Sequence, residues 1–170
     1  MINSVNGKTE VMNQIFPLVK KYGGAVVGLC LDEDGIPIEI KIAIENCKSN
    51  SSTLHLMWLL QWEWVHAHID HLFAILDFCA RENFHDVIIH VFTDGRDAPV
   101  TKSLEYLAQL SQKLSELGFG KIVSAMWRFY AMDRDKRRDR TQIAYNAIVN
   151  LYFDMAYKGN LIGKIKDLQD

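Results

Sequence analysis

Short apolar runs alternate with longer segments in which apolar residues recur every three or four positions, and the alternation repeats along the whole chain. The runs at 1–5, 25–31 (AVVGLCL), 53–60 (TLHLMWLL), 87–92 (VIIHVF) and 121–126 (KIVSAM) are rich in β-branched and large apolar residues, which predicts strands buried in a sheet. Between them, Val11, Ile15, Leu18 and Tyr22 mark a helix over 8–22, stopped by Gly23-Gly24 and kinked or shifted by Pro17. Ile40, Ala43, Ile44 and Cys47 mark a second helix over 39–48, and Ile69, Leu72, Phe73, Leu76 and Ala80 a third over 65–83. Leu104, Leu107, Leu110 and Leu114 line a helix over 100–117 that Gly118 ends, and Ala144, Ala147, Ile148, Leu151 and Met155 line a last helix from about residue 137. Strand-then-helix units in strict order predict an α/β domain spanning 1–170, with right-handed crossovers and helices on both faces. The expected architecture is a flavodoxin-like three-layer α/β/α sandwich on a five-stranded parallel sheet, with part of a (β/α) barrel as the alternative.

Composition alters this picture little. A formal net charge of -2 gives no general reason to expect nucleic acid, and no apolar run approaches the ~20 residues of a membrane span. The amino terminus lacks the basic-then-apolar layout of a signal peptide, so a cytoplasmic setting is expected. Cys30, Cys47 and Cys79 are odd in number, lack metal-site spacing and fall in apolar segments, which favours reduced core cysteines.

Chemistry concentrates where the strands end. In a parallel sheet those carboxyl ends share one rim, and ligands bind in the crevice outside it. Five such places carry unusual residues: Asn3-Ser4, 32–34, 61–66, 93–97 and 127–134. The run HVFTDGRDAPV sets Arg96 between Asp94 and Asp97 just past a strand, where a planar guanidinium suits a phosphate or carboxylate. Arg128 and Arg134 follow the next strand, whereas 136–140 reads as a salt-bridged, solvated helix start. His66, His68 and His71 sit at a helix start, where capping or anion contact is favoured over a metal site, because no further ligands are evident beside them. His55 and His90 fall within strands and read as core histidines.

TLHLM, VHAHIDHLFAILD, HVFTDGRDAP, GFGKI and RFYAMDRDKRRDR running into AYNAIV, in this order and spacing, closely resemble the substrate-binding domain of cofactor-independent phosphoglycerate mutase over about 51–149. The resemblance implies that His66, Arg96, Asp97, Arg128 and Arg134 contact substrate, while a separate alkaline-phosphatase-like domain supplies the serine nucleophile and two manganese ions. Trp58, Trp64 and Trp127 stand where that family has glycine, Trp62 where it usually has aspartate, and Arg138 where it has tryptophan. Residues 2–37 are similar instead to a piece of the pterin-binding barrel of methyltetrahydrofolate methyltransferases, with Asn3 at a pterin-contacting position.

These two resemblances, with 38–50 as junction and 150–170 as C-terminal helix and tail, imply an engineered or recombined chimera. On this reading the chain is a scaffold without a catalytic residue, a metal or a cofactor. Two alternatives are a small phosphate-binding module that keeps weak phosphoglycerate affinity and a designed interaction surface centred on Trp58, Trp62, Trp64 and Trp127. The expected partner is a small phosphorylated ligand or free anion, with neither nucleic acid nor membrane, and exposed tryptophans offer a route to a homodimer. Trp58 and Trp127 are expected to plug the cleft, since burying an indole stabilises by about 3 kcal/mol.

Overall fold

The structure, a computed structural model, describes residues 38–149. The chain divides into two compact units, Met1–Ser52 and Thr53–Asp170. In the first, helix α1 (Ile38–Asn50) buries Ile44 and Cys47, two of the positions its three-and-four spacing selects. Ser52 N–H closes its end on the Cys47 carbonyl at 3.0 Å.

The second unit is built on β1 (Leu54–Leu60), β2 (Val87–Thr93) and β3 (Lys121–Trp127), paired in parallel in the order β1-β2-β3. Leu60 lies opposite Thr93, and Thr93 opposite Trp127, so the three strands finish level and their following turns share one rim. A register shift between Ile89 and His90 leaves one extra residue on β3. The central strand is the most buried, with Ile89, His90 and Val91 fully enclosed, as expected where neighbours pair on both sides.

Helices α2 (Ile69–Arg81) and α3 (Ser103–Leu117) form the two crossovers. Because the strands add in one direction, right-handed crossovers set both helices on the same face. Lys113 Nζ of α3 accordingly meets Asp77 Oδ1 of α2 at 2.6 Å. Leu72 and Leu76 of α2 and Leu107 and Leu110 of α3 are fully buried, each contributing roughly 1.5–3 kcal/mol. Gly118 ends α3 with φ +73, a left-handed cap that glycine adopts without strain. A four-residue helix α4 (Arg128–Ala131) follows β3 directly, and α5 (Arg138–Val149) packs on α4 and β3.

A five-stranded sheet would need strands at 1–5 and 25–31, which lie outside the described residues, as do Asn3, Cys30 and the helix expected over 8–22. The helix expected over 65–83 is shorter, since Trp64 adopts φ +59 and His68 is extended (φ -145, ψ 139), its Nδ1 accepting from Asp70 N–H. Only then can the backbone turn helical. His90 is a core histidine, but His55 is exposed on β1 and reaches it from outside, Nδ1 to Nε2 at 3.1 Å. Among the described residues no helix is long and apolar enough to cross a membrane.

Candidate functional site at the carboxyl rim of the sheet

The site grows from one buried carboxylate. Asp94 follows β2 directly, and its Oδ1 accepts from the backbone N–H of Arg96 (2.8 Å) and Asp97 (3.1 Å), folding the chain back on itself. Gly95 takes φ +118 at the apex, a backbone that a side chain would strain. Gln61, just past β1, supports the same carboxylate. With its amide oriented as the neighbouring donors and acceptors require, Nε2 donates to Asp94 Oδ2 at 2.5 Å, while Oε1 accepts from the N–H of Ala67 (3.1 Å) and His66 (3.2 Å).

Into this turn reaches Arg128, the first residue past β3. Its Nη1 donates to Asp94 Oδ1 at 2.9 Å and to Asp97 Oδ2 at 2.6 Å, and the side chain is 9% exposed. Burial opposes the Asp94 charge, but the Arg96 N–H, the Arg128 guanidinium and the Asp97 N–H outweigh it and hold the carboxyl below its usual range. Burial likewise works against charged Arg128, and the bonds to Asp97 and Asp94 reverse that, raising its pKa. The pair is locked in its ionised form. Asp97 also meets His66 Nε2 at 3.3 Å, so His66, Asp97 and Arg128 form one chain across all three strand ends.

Nη1 of Arg128 serves both carboxylates and leaves the rest of its fork for the cavity beside it. That cavity, of about 240 Å³, is lined by Gly95, Arg96, Trp127, Arg128, Phe129 and Met132, and by Asp133, Arg134, Asp135 and Arg140. Arg96 and Arg134 are exposed and make no ion pair or side-chain hydrogen bond among the described residues, so their forks are available to an anion. Arg140 is engaged, with Nη1 on Asp133 (3.1 Å) and Asp135 (2.9 Å) and its guanidinium 3.7 Å above the Phe129 ring. Such an arrangement can seat a small phosphate or carboxylate between Arg96 and Arg134 against a rigid Arg128.

All five sequence-predicted contact residues therefore meet at this rim: Arg96, Arg128 and Arg134 at the cavity, His66 and Asp97 on the chain behind it. His66, His68 and His71 do not converge, since His66 faces Asp97 while His68 and His71 contact Trp64. The tryptophans part company as well. Trp127 does not plug the cleft: it lines the open cavity at 46% exposure, because the indole lies across Gly95 and stacks on Phe129. Trp58 is half-buried with Nε1 enclosed and unbonded. Trp62 and Trp64 stay exposed on the loop after β1, held to α3 where Trp62 Nε1 donates to Gln109 and Tyr106 OH donates to Glu63 at 2.8 Å. Sequence reasoning placed Gln61 on the rim without its bond to Asp94, and missed the role of Asp94 as the anchor of Arg128. The signal available was an acidic residue directly after a central strand, where burial demands a cation.

A family model described as BPG-independent PGAM N-terminus matches residues 38–169. The 2,3-bisphosphoglycerate-independent phosphoglycerate mutase of Acetivibrio thermocellus is 46% identical over 107 residues, 63% of this chain and 21% of that protein. The enzyme of that name from Staphylococcus saprophyticus is 44% identical over 131 residues, 75% of this chain and 26% of that protein. A solved Leishmania mexicana phosphoglycerate mutase, crystallised at low cobalt concentration, shares the fold with a TM-score of 0.64 at 21% identity, over 76% of this chain and 27% of that one. The chain thus spans about a fifth to a quarter of the relatives it matches. These matches correct the expectation of an engineered, catalytically silent chimera: the likeness runs through 38–50 and on to 169, its relatives bear an enzyme's name, and nothing in them supports a methyltransferase piece at 2–37. By the continuous match over 38–169, the chain belongs to the family described as the BPG-independent PGAM N-terminus.

Proposed function

We propose that the chain is the substrate-holding part of a 2,3-bisphosphoglycerate-independent phosphoglycerate mutase, and that it seats the phosphorylated acid in the cavity between Arg96, Arg128 and Arg134. The observation that carries this reading is the contrast among the guanidiniums: Arg128 is fixed by Asp94 and Asp97, while Arg96 and Arg134 face the same cavity without a counter-ion among the described residues. A fixed donor with two exposed, unpaired guanidiniums suits an anion that must be bound and later released. The cavity, about 240 Å³, falls below the ~300–1,000 Å³ of drug-sized sites and fits a small metabolite. His66, oriented by Asp97, stands at the rim to contact the ligand's oxygens. Phosphoryl transfer belongs to the whole mutase, and this chain's contribution is orientation of the acid.

Titration calorimetry at low salt with 3-phosphoglycerate tests the reading. Arg134→Ala or Arg96→Ala should weaken binding by roughly tenfold to a hundredfold, the worth of a charge-assisted hydrogen bond. Affinity unchanged in both variants would defeat it.

A further inference from the structure

Two histidines face each other on the flat of the sheet, before its carboxyl rim is reached. His55 of β1 and His90 of β2 bring Nδ1 and Nε2 to 3.1 Å, with their rings 22° from parallel. His90 is fully enclosed and His55 is exposed, so the pair is approached from the His55 side. Neither ring meets a carboxylate among the described residues, and burial, aided by repulsion from His55, lowers the pKa of His90 and keeps it a neutral imidazole at neutral pH. His90 Nδ1 lies 2.8 Å from Ser124 Oγ, and with its hydrogen given to that hydroxyl, Nε2 is left bare and aimed at His55. A metal-bound imidazole is held in this way, by a hydrogen bond from the nitrogen that does not bind. Tetrahedral metal–nitrogen bonds of about 2.05 Å set two nitrogens about 3.3 Å apart, so the pair needs to open by only about 0.2 Å.

A third donor stands beside them. Met57 pairs with His90 in the ladder and is two residues from His55, so all three side chains issue from one face of the sheet. Its flexible thioether arm is 52% exposed. Two imidazoles and a thioether bring no negative charge, and such a set suits a soft monovalent ion better than a divalent one, whose larger desolvation cost it leaves uncompensated. We propose that His90 Nε2, His55 Nδ1 and the Met57 sulfur form a binding site for a soft monovalent metal ion, copper(I) or its analogue silver(I). The ion takes the place of the hydrogen shared between the two rings, and that hydrogen passes to His55 Nε2. None of the three residues lines the anion cavity, so this site stands or falls separately from it.

Silver(I) titration of the full chain, followed by NMR of the imidazole rings, tests the proposal. Cys30→Ser serves as the background throughout, because Cys30 is a thiol outside the described residues that would compete for the ion. One equivalent is expected to shift the ring resonances of His55 and His90 together while those of His66 and His71 stay in place. His55→Gln and Met57→Leu, both at exposed positions, should each weaken silver binding by at least about tenfold, the least that loss of a group around a metal typically costs. If silver leaves the His55 and His90 resonances unmoved, or if its affinity is unchanged in either variant, the inference is overturned.

Discussion

Replacing Asp94 by alanine removes one side chain and affects four partners. Oδ1 accepts from Arg96 N–H, Asp97 N–H and Arg128 Nη1, and Oδ2 accepts from Gln61. The side chain is 2% exposed, so bulk water does not replace the charged acceptor that its partners lose. Breaking a buried ion pair by deleting one member costs about 3–5 kcal/mol. Arg128 keeps Asp97 at 2.6 Å, which places Asp94→Ala near the lower end, at about 3 kcal/mol. Asp94→Asn retains an acceptor but not the charge and should cost about half as much. Urea unfolding followed by near-ultraviolet circular dichroism reads this as a lowered midpoint at unchanged slope. Acid provides a second test. The folded-state pKa of Asp94 lies below its ordinary 3.8, so its contribution is fully present above that value and is lost as pH falls through the lower folded value. The gap between parent and Asp94→Ala should therefore close as pH drops below about 4. A loss under about 1 kcal/mol at neutral pH, or a gap that does not narrow in acid, would refute the assignment of Asp94 as the anchor of the site.

Three further outcomes are expected. Burial, aided by repulsion from His55, lowers the pKa of His90 below 6.5, so the unfolded chain takes up the proton first and stability should fall as pH drops below that value; His90→Gln should flatten this slope in a pH series of unfolding midpoints. Trp64→Gly removes an indole stacked on His68 but relieves a left-handed backbone, and the two effects should cancel to within about 1 kcal/mol in urea unfolding, against the several kcal/mol lost on deleting a buried tryptophan. Leu107→Ala, at a fully buried position of α3, should cost about 2–5 kcal/mol by the same measurement.

The three described strands were legible because their apolar runs are compact: 53–60, 87–92 and 121–126 match β1, β2 and β3 to within a residue. Helix α3 was equally plain, since its leucines fall on one face and glycine follows. The start of α2 was not, because the residues before it are apolar enough to extend the helical pattern while Trp64 and His68 adopt backbones that interrupt it. The site was visible as a rim of arginines, since strand ends can be read from periodicity. Its internal wiring was not visible: Asp94 and Arg128 lie 34 positions apart, and which arginine a given carboxylate holds depends on three strands ending level. Exposure of Trp127 depended on a stack with a residue two positions further on, which no spacing rule encodes.

Gly95 and Trp127 lie against each other at the cavity, and the two positions differ sharply in what they tolerate. A β-carbon at 95 would meet Val100 Cγ2 at 3.1 Å and Trp127 Nε1 at 3.2 Å, on a backbone at φ +118 that side chains rarely adopt. Position 127 carries no such restriction, being a strand end of ordinary extended backbone (φ -74, ψ 140). Drift in sequence can therefore reshape this contact from the Trp127 side only. Homologues that diverge in ligand preference should record that history at 127 while position 95 stays glycine.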